Sequence, residues 1–188
     1  MPKKNSKDHI LDAAEAVVVE LGAGHMSIDL VARKAGVSKG GLMYHFPTKE
    51  SLLIAMISRL VTVFHHNKAE KMTLLKDTPA RALKAAILAC MESDEKRDRM
   101  ARSILAASAH NPELLGPFKE AQREHIRELT ASGLDFERAA IVSLASDGLM
   151  LLELLQTAPY TKTQKKKIIQ TMILMLEELE SGKDRNDQ

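Results

Sequence analysis

The residues best equipped for chemistry in this chain lie between Ser27 and Leu53, in the string SIDLVARKAGVSKGGLMYHFPTKESLL. From Leu30 to Lys49 the charged side chains are Arg33, Lys34, Lys39 and Lys49, with no Asp or Glu. That is a local charge of +4 in a chain whose net charge is only +2. A compact positive patch attracts phosphate. Beside Lys39 stand Gly40 and Gly41, each costing about 1 kcal/mol relative to alanine inside a helix. A helix that tolerates both gains from bringing its backbone close to something, and a phosphate or a base edge is the natural candidate. An ordinary helix hairpin with a solvated basic face would carry the same charge, so the surrounding elements must decide.

Those elements are legible from caps and breakers. Ser27 can accept a hydrogen bond from a free backbone N–H and so open a helix. Ile28, Val31, Ala32 and Ala35 follow at helical spacing, and Ala32 is small enough for a steep crossing. Gly36 ends that helix at a position wanting positive φ. Val37 plugs the turn, and Ser38 caps a second helix over about Lys39 to His45, anchored by Leu42 and Phe46. Pro47 stops it, and Thr48 caps the next helix from Lys49. Two short helices joined by a tight turn can lay the second in the major groove of DNA.

The string AxxAGVSKGGLMYHFPTKESLL resembles the N-terminal domain of the tetracycline-repressor (TetR) family of bacterial transcription factors, with ungapped spacing across three helices over residues 7 to 55. The resemblance implies a three-helix helix-turn-helix DNA-binding domain, an all-helical ligand-binding and dimerisation domain, and repression relieved by a small molecule. It also implies roles for matching residues. Ser27 and Ser38 contact phosphates from helix starts, and Lys39, Gly40 and Gly41 lie nearest the bases. Tyr44 and His45 reach the DNA backbone, and Lys49 holds a phosphate at the start of the fourth helix.

Composition bounds the rest. At 188 residues and 45% apolar content the chain can bury a substantial core. Aromatics at 3%, no Trp and ten Met describe a core of aliphatic and thioether side chains, which can repack around varied ligands. Cys90 is the only cysteine, so no intramolecular disulfide can form, as suits a reducing cytosol. Asp12 and Glu15 interrupt the N-terminal pattern, so no signal peptide is expected. No apolar run approaches the roughly 18 residues of a membrane span. A soluble, cytoplasmic protein is expected. With 27 basic against 25 acidic residues it is too balanced for a non-specific coat on nucleic acid.

No strand-like alternation persists, so the fold class is all-α. Residues 1 to 6 are expected to be disordered, with a first helix over Asp8 to Leu21. The fourth helix should run from Lys49 into the His65 to Lys68 region. Thr78-Pro79 should open a fifth, with Pro at its first position. SDEKRDR reads as a charged turn before a helix over Met100 to Ala109. Pro112 to Ala131 forms the next, bent near Gly116-Pro117. Phe136 to Leu155 is apolar on nearly every side, which calls for burial on every side. With Thr161 to Leu179 it is the expected homodimer interface, and the residues after Glu180 form a polar tail. Domain limits follow: residues 1–50 for DNA, with the fourth helix from about 48 linking them to a ligand-binding and dimerisation domain over 51–188.

An unknown small-molecule effector would sit among the middle helices, near Phe64, Cys90, Met91, Met100, Phe118, Asp147 and Met150. Each alone is more often plain core. Asp147 stands out because an unpaired charge in an apolar helix costs several kcal/mol. It would face a cationic or hydroxylated ligand, an arginine of a partner subunit, or solvent. The adjacent His65 and His66 diverge on a helix and make a poor metal pair. No phosphate loop, nucleophile elbow or paired carboxylates occur. No metal, cofactor or catalytic residue is therefore assigned. The expected partners are an operator duplex and a second copy of the chain. An activator, or a regulator answering to another protein, fits the same residues. From another class, so does a small-molecule carrier or enzyme without duplex selectivity.

Overall fold

A computed structural model describes residues 6–92 and 94–182, all of whose regular elements are helical. In chain order these are α1 (Ser6–Leu21), α2 (Ile28–Ala35), α3 (Lys39–His45), α4 (Lys49–Leu74), α5 (Arg81–Cys90) and α6 (Glu95–Ser108). A 3-10 turn (Pro112–Leu115) leads into α7 (Gly116–Ala131), followed by α8 (Phe136–Leu154) and α9 (Lys162–Glu180). The chain divides into two compact units, Met1–Thr62 with Asp94–Glu120, and Val63–Ser93 with Ala121–Gln188.

The first unit packs Ile10 and Val18 of α1 against Val31 of α2, Leu42 of α3 and Leu52 and Met56 of α4. Met100 and Ile104 of α6 and Leu114 of the 3-10 turn complete this core. Arg59 ties α4 to α1 through Asp12 at 2.7 Å, Glu15 at 3.1 Å and Asp8 at 3.1 Å. The Ala23 amide donates to Ser103 Oγ at 2.6 Å, fixing the end of α1 to α6. The expected helix caps are all present. Ser27 Oγ accepts from Leu30 N–H, Gly36 takes φ 63°, and Ser38 Oγ accepts from Gly41 N–H. Thr48 Oγ1 accepts from Ser51 N–H at 3.0 Å.

In the second unit Leu83 and Ile87 of α5, Leu129 of α7, Ala139, Val142 and Leu149 of α8, and Met172 and Leu176 of α9 form the core. Glu180, at the end of α9, accepts from the Ala80 amide at 2.7 Å and from Lys84 Nζ at 2.8 Å. A carboxylate a hundred positions away thus caps α5, because Ala80 has no side chain able to do so.

Four boundaries differ from the sequence reading. The residues DEKRDR are the first turns of α6 and not a turn before it: Asp94 caps them by accepting from Arg97 N–H at 2.8 Å. Glu95 and Arg99 then pair one turn apart. Pro79 falls in the turn ahead of α5, whose start is set by Glu180. Helix α4 continues past Lys68 to Leu74, its added turns held by Lys68 to Glu128 and Lys71 to Glu92. Ser6 opens α1, while the remainder of the segment expected to be disordered, and most of the polar tail, lies outside the described residues.

The α8 helix is buried on one side only within the chain. Ala139, Val142, Ser143, Ser146 and Leu149 face inward, while Ile141 (59% exposed), Leu144 (68%), Leu151 (44%) and Leu155 (46%) face out. Leu174 and Met175 of α9 are also exposed.

Candidate nucleic-acid interface and effector site

Helix α3 is only seven residues long, and its inward grip rests on Leu42, fully buried, with Phe46 just beyond its end. Lys39 and Met43 on it are exposed, and His45 is half-buried. Gly40 and Gly41 are exposed, as is Tyr44, 85% of whose surface is open. The two glycines differ. A Cβ on Gly41 would sit 3.1 Å from Ser38 Oγ, crowding the hydroxyl that caps the helix, whereas a Cβ on Gly40 would meet open space. Gly41 is therefore constrained by the cap, and Gly40 is not constrained by any of the described residues. The helix begins with a serine cap and no acidic residue in its first turn, which leaves a positive helix end facing outward.

The cations around it are restrained by partners the local charge count did not include. Lys39 Nζ pairs with Asp29 of α2 at 3.1 Å, and Lys34 pairs with Glu20 of α1 at 2.7 Å. Both pairs are exposed, and exposed pairs contribute only about 0–1 kcal/mol, so a phosphate can displace either carboxylate. Lys49 Nζ donates to the Gly24 carbonyl at 2.8 Å, which parks its ammonium beside the start of α4. His45 shares a 2.8 Å hydrogen bond with Ser6 and packs edge-on against the Tyr44 ring. Asp29 is the functional residue that sequence reasoning missed. It lies in the first turn of α2, ten positions before Lys39, and only the crossing of α2 and α3 brings the two together.

The residues named for an effector fall in both compact units. Met100 is core of the first unit, packed with Ile104 and Leu114, and Phe118 of α7 is 43% exposed. The second unit brings others together. Asp147 of α8 accepts a hydrogen bond from Gln122 of α7 and lies within electrostatic reach of His125 and of Cys90 on α5. Met91 and Met150 are half-buried, and Phe64 is half-buried with its ring edge-on to His65. Burial raises the Asp147 carboxyl, against the pull of Gln122 and His125. Burial and then the Lys68 charge lower His125, whose Nε2 lies 2.8 Å from Ser143 Oγ. Burial and the Asp147 charge push the Cys90 thiol up to about 12, so it stays protonated and unreactive. Among the described residues no three His, Cys, Asp or Glu are placed to hold a metal ion, and no helix is long and apolar enough to cross a membrane.

This geometry can be set against known proteins. The family model for bacterial regulatory proteins of the tetR family matches residues 10–56, and the tetracyclin repressor-like C-terminal domain matches residues 80–177. The chain belongs to the tetracycline-repressor family and is a DNA-binding transcriptional regulator. It is 29% identical over 180 residues to the HTH-type transcriptional regulator BetI of Proteus mirabilis, covering 90% of each chain. Among solved structures it resembles a transcriptional regulator from Rhodococcus at 26% identity and a TM-score of 0.69, covering 95% of this chain and 97% of that one. The fold is also that of the multidrug binding protein EbrR complexed with imidazole, at 22% identity and a TM-score of 0.69 over 92% and 96% of the two chains.

Proposed function

We propose that this regulator is a cytoplasmic homodimeric repressor that reads a palindromic operator and releases it when a small molecule binds the second unit. Residues 1–50 read DNA, and residues 51–188 bind the effector and the partner subunit. The observation that carries the DNA half is the exposed first turn of α3, where a Cβ on Gly40 would meet none of the described residues and Lys39 is held beside it by a weak pair. Lys39, Gly40 and Gly41 approach base edges. Ser27, Ser38, Tyr44, His45 and Lys49 contact phosphates, which positions the helix without reading sequence.

The dimer half rests on the outward stripe Ile141, Leu144, Leu151 and Leu155 on α8, recurring every three or four residues beside Leu174 and Met175 of α9. A fully buried aliphatic side chain contributes about 1.5–3 kcal/mol, so pairing this stripe with its copy supplies a stable interface. Ligand release follows if the effector prefers a dimer whose two α3 helices are spaced wrongly for the operator. Helix α4 runs unbroken from Lys49 to Leu74 and is the natural lever.

The test is fluorescence anisotropy on duplexes flanking the protein's own gene. Lys49→Ala should weaken binding to all sequences and reduce the slope of log affinity against log salt by about one. An unchanged affinity and slope would remove Lys49 from the phosphate contacts. Failure to select any duplex would favour a small-molecule carrier.

A further inference from the structure

Helix α8 carries a glycine near its middle that none of the described residues calls for. Gly148 is exposed, and a Cβ there would meet nothing within 4 Å. Glycine weakens a helix interior, so its presence asks for a reason outside the fold. The exposed apolar residues lie about it almost evenly. Leu144 and Ile141 stand four and seven positions before it, Leu151 and Leu155 three and seven after. A stripe that reads alike in both directions can be covered by its own antiparallel copy, the backbones approaching most closely where glycine meets glycine.

Helix α9 supplies a second, independent observation. Its first turns hold Lys162, Lys165, Lys166 and Lys167, and its last turn holds Glu177, Glu178 and Glu180. This order opposes the helix dipole, which favours anions at the start and cations at the end. Part of the charge is answered within the chain, Lys165 by Glu153 at 3.0 Å, and Glu180 and Glu177 by Lys84 at 2.8 and 3.7 Å. Lys167 and Glu178 have no ion-pair partner among the described residues. They share an exposed face with Thr171 and Leu174, spaced four, three and four residues apart. Laid antiparallel on a copy, that face brings each Lys167 to the partner's Glu178. Both helices place the two-fold axis at nearly the same level. The Glu153–Lys165 pair sets α8 against α9, and five residues on from it along each helix lie Gly148 and Gln170. The midpoint of Lys167 and Glu178 falls between Met172 and Ile173, about 4 Å further along, which long side chains span.

We propose that Gly148, Lys167 and Glu178 set how this chain recognises a second copy of itself. Helix α8 crosses the partner's α8 at Gly148, and each Lys167 pairs with the partner's Glu178, twice across the axis. This deepens the reading of a homodimer and rests on it. The apolar stripe drives association, and the charges select one antiparallel register, because a parallel pair would set Lys against Lys and Glu against Glu.

The test uses the full chain in sedimentation equilibrium at low salt. Lys167→Glu and Glu178→Lys should each raise the dimer dissociation constant about tenfold, since both pairs of the dimer become like-charged. Each change also suits the α9 dipole better than the parent residue, so a lost dimer cannot be put down to a weaker helix. Mixed in equal amounts, with a tag on one to separate the masses, the two variants should form a heterodimer tighter than either homodimer, because both cross-pairs are then restored. Gly148→Leu should weaken the dimer about tenfold or more by holding the helices apart, with helix content by circular dichroism unchanged. Single charge variants that dimerise as tightly as the wild type, or a mixture with no excess of heterodimer, overturn the pairing and leave the homodimer standing. A Gly148→Leu dimer of undiminished affinity overturns the crossing. A wild-type chain that stays monomeric at every concentration overturns the homodimer itself.

Discussion

Gly40 and Gly41 stand side by side in the first turn of α3, yet they answer to different constraints. Gly41 is crowded by the Ser38 hydroxyl, so a side chain there disturbs the cap. Gly40 has free space, and alanine should suit the helix better by up to about 1 kcal/mol. If the missing Cβ at Gly40 instead admits a duplex, Gly40→Ala will raise the thermal midpoint and weaken operator binding together. Calorimetry and anisotropy on the same sample check this, and unchanged DNA affinity would deny Gly40 its role. Asp29 supplies a second prediction. It holds Lys39 but also places a negative charge near phosphates. Asp29→Asn should tighten binding to random duplexes, and Lys39→Ala should weaken operator binding more than random binding. Their ratio measures how far Lys39 reads sequence. Lys39 and the paired glycines were legible in the sequence because their types and spacing are local. The restraint by Asp29 was not, since it depends on how α2 and α3 cross.

At the scale of elements, helix starts capped by a neighbour's side chain were readable at Ser27, Ser38 and Thr48, though not at Asp94. Starts fixed by distant groups were misplaced. Helix α5 begins where Glu180 of α9 receives the Ala80 amide, a contact with no trace in the sequence around Pro79. DEKRDR read as a turn because its charges hid the cap that Asp94 makes. The Glu180 clamp has a testable pH dependence. Burial alone would raise its carboxyl, but Lys84, Thr78 and the Ala80 amide together hold it below the ordinary value of 4.5. A lowered folded value means that the clamp stabilises above about pH 4.5 and loses that contribution as pH falls through the folded value. Glu180→Gln should cost about 1–3 kcal/mol at neutral pH, with the gap from the parent narrowing in acid. Denaturant unfolding at neutral and acidic pH reads both, and a gap that stays constant with pH would show that the charge of Glu180 contributes nothing.

For the molecule as a whole, the sequence made α8 apolar on almost every side, and the fold buries only half of it. The remaining stripe is meaningful only if something covers it, and a second copy presenting the same stripe does so symmetrically. Leu144→Glu puts a charge at the most exposed of the α8 apolar residues and should leave the monomer folded. Light scattering should then give the monomer mass, with operator affinity falling at least a hundredfold because two half-sites are no longer held together. The placement of Met100 marks what could not be foreseen. Its helical spacing was clear, but its place in the first core, with residues between Ile10 and Ile57, is a matter of topology.

Selection of tight-binding duplexes from a random pool by the wild-type protein tests the central claim most directly. Two symmetric copies of α3 predict an enriched sequence with two-fold symmetry, its half-sites about one helical turn, roughly 34 Å, or a multiple of it apart. Enrichment of a single unsymmetric site, or of none, would contradict it.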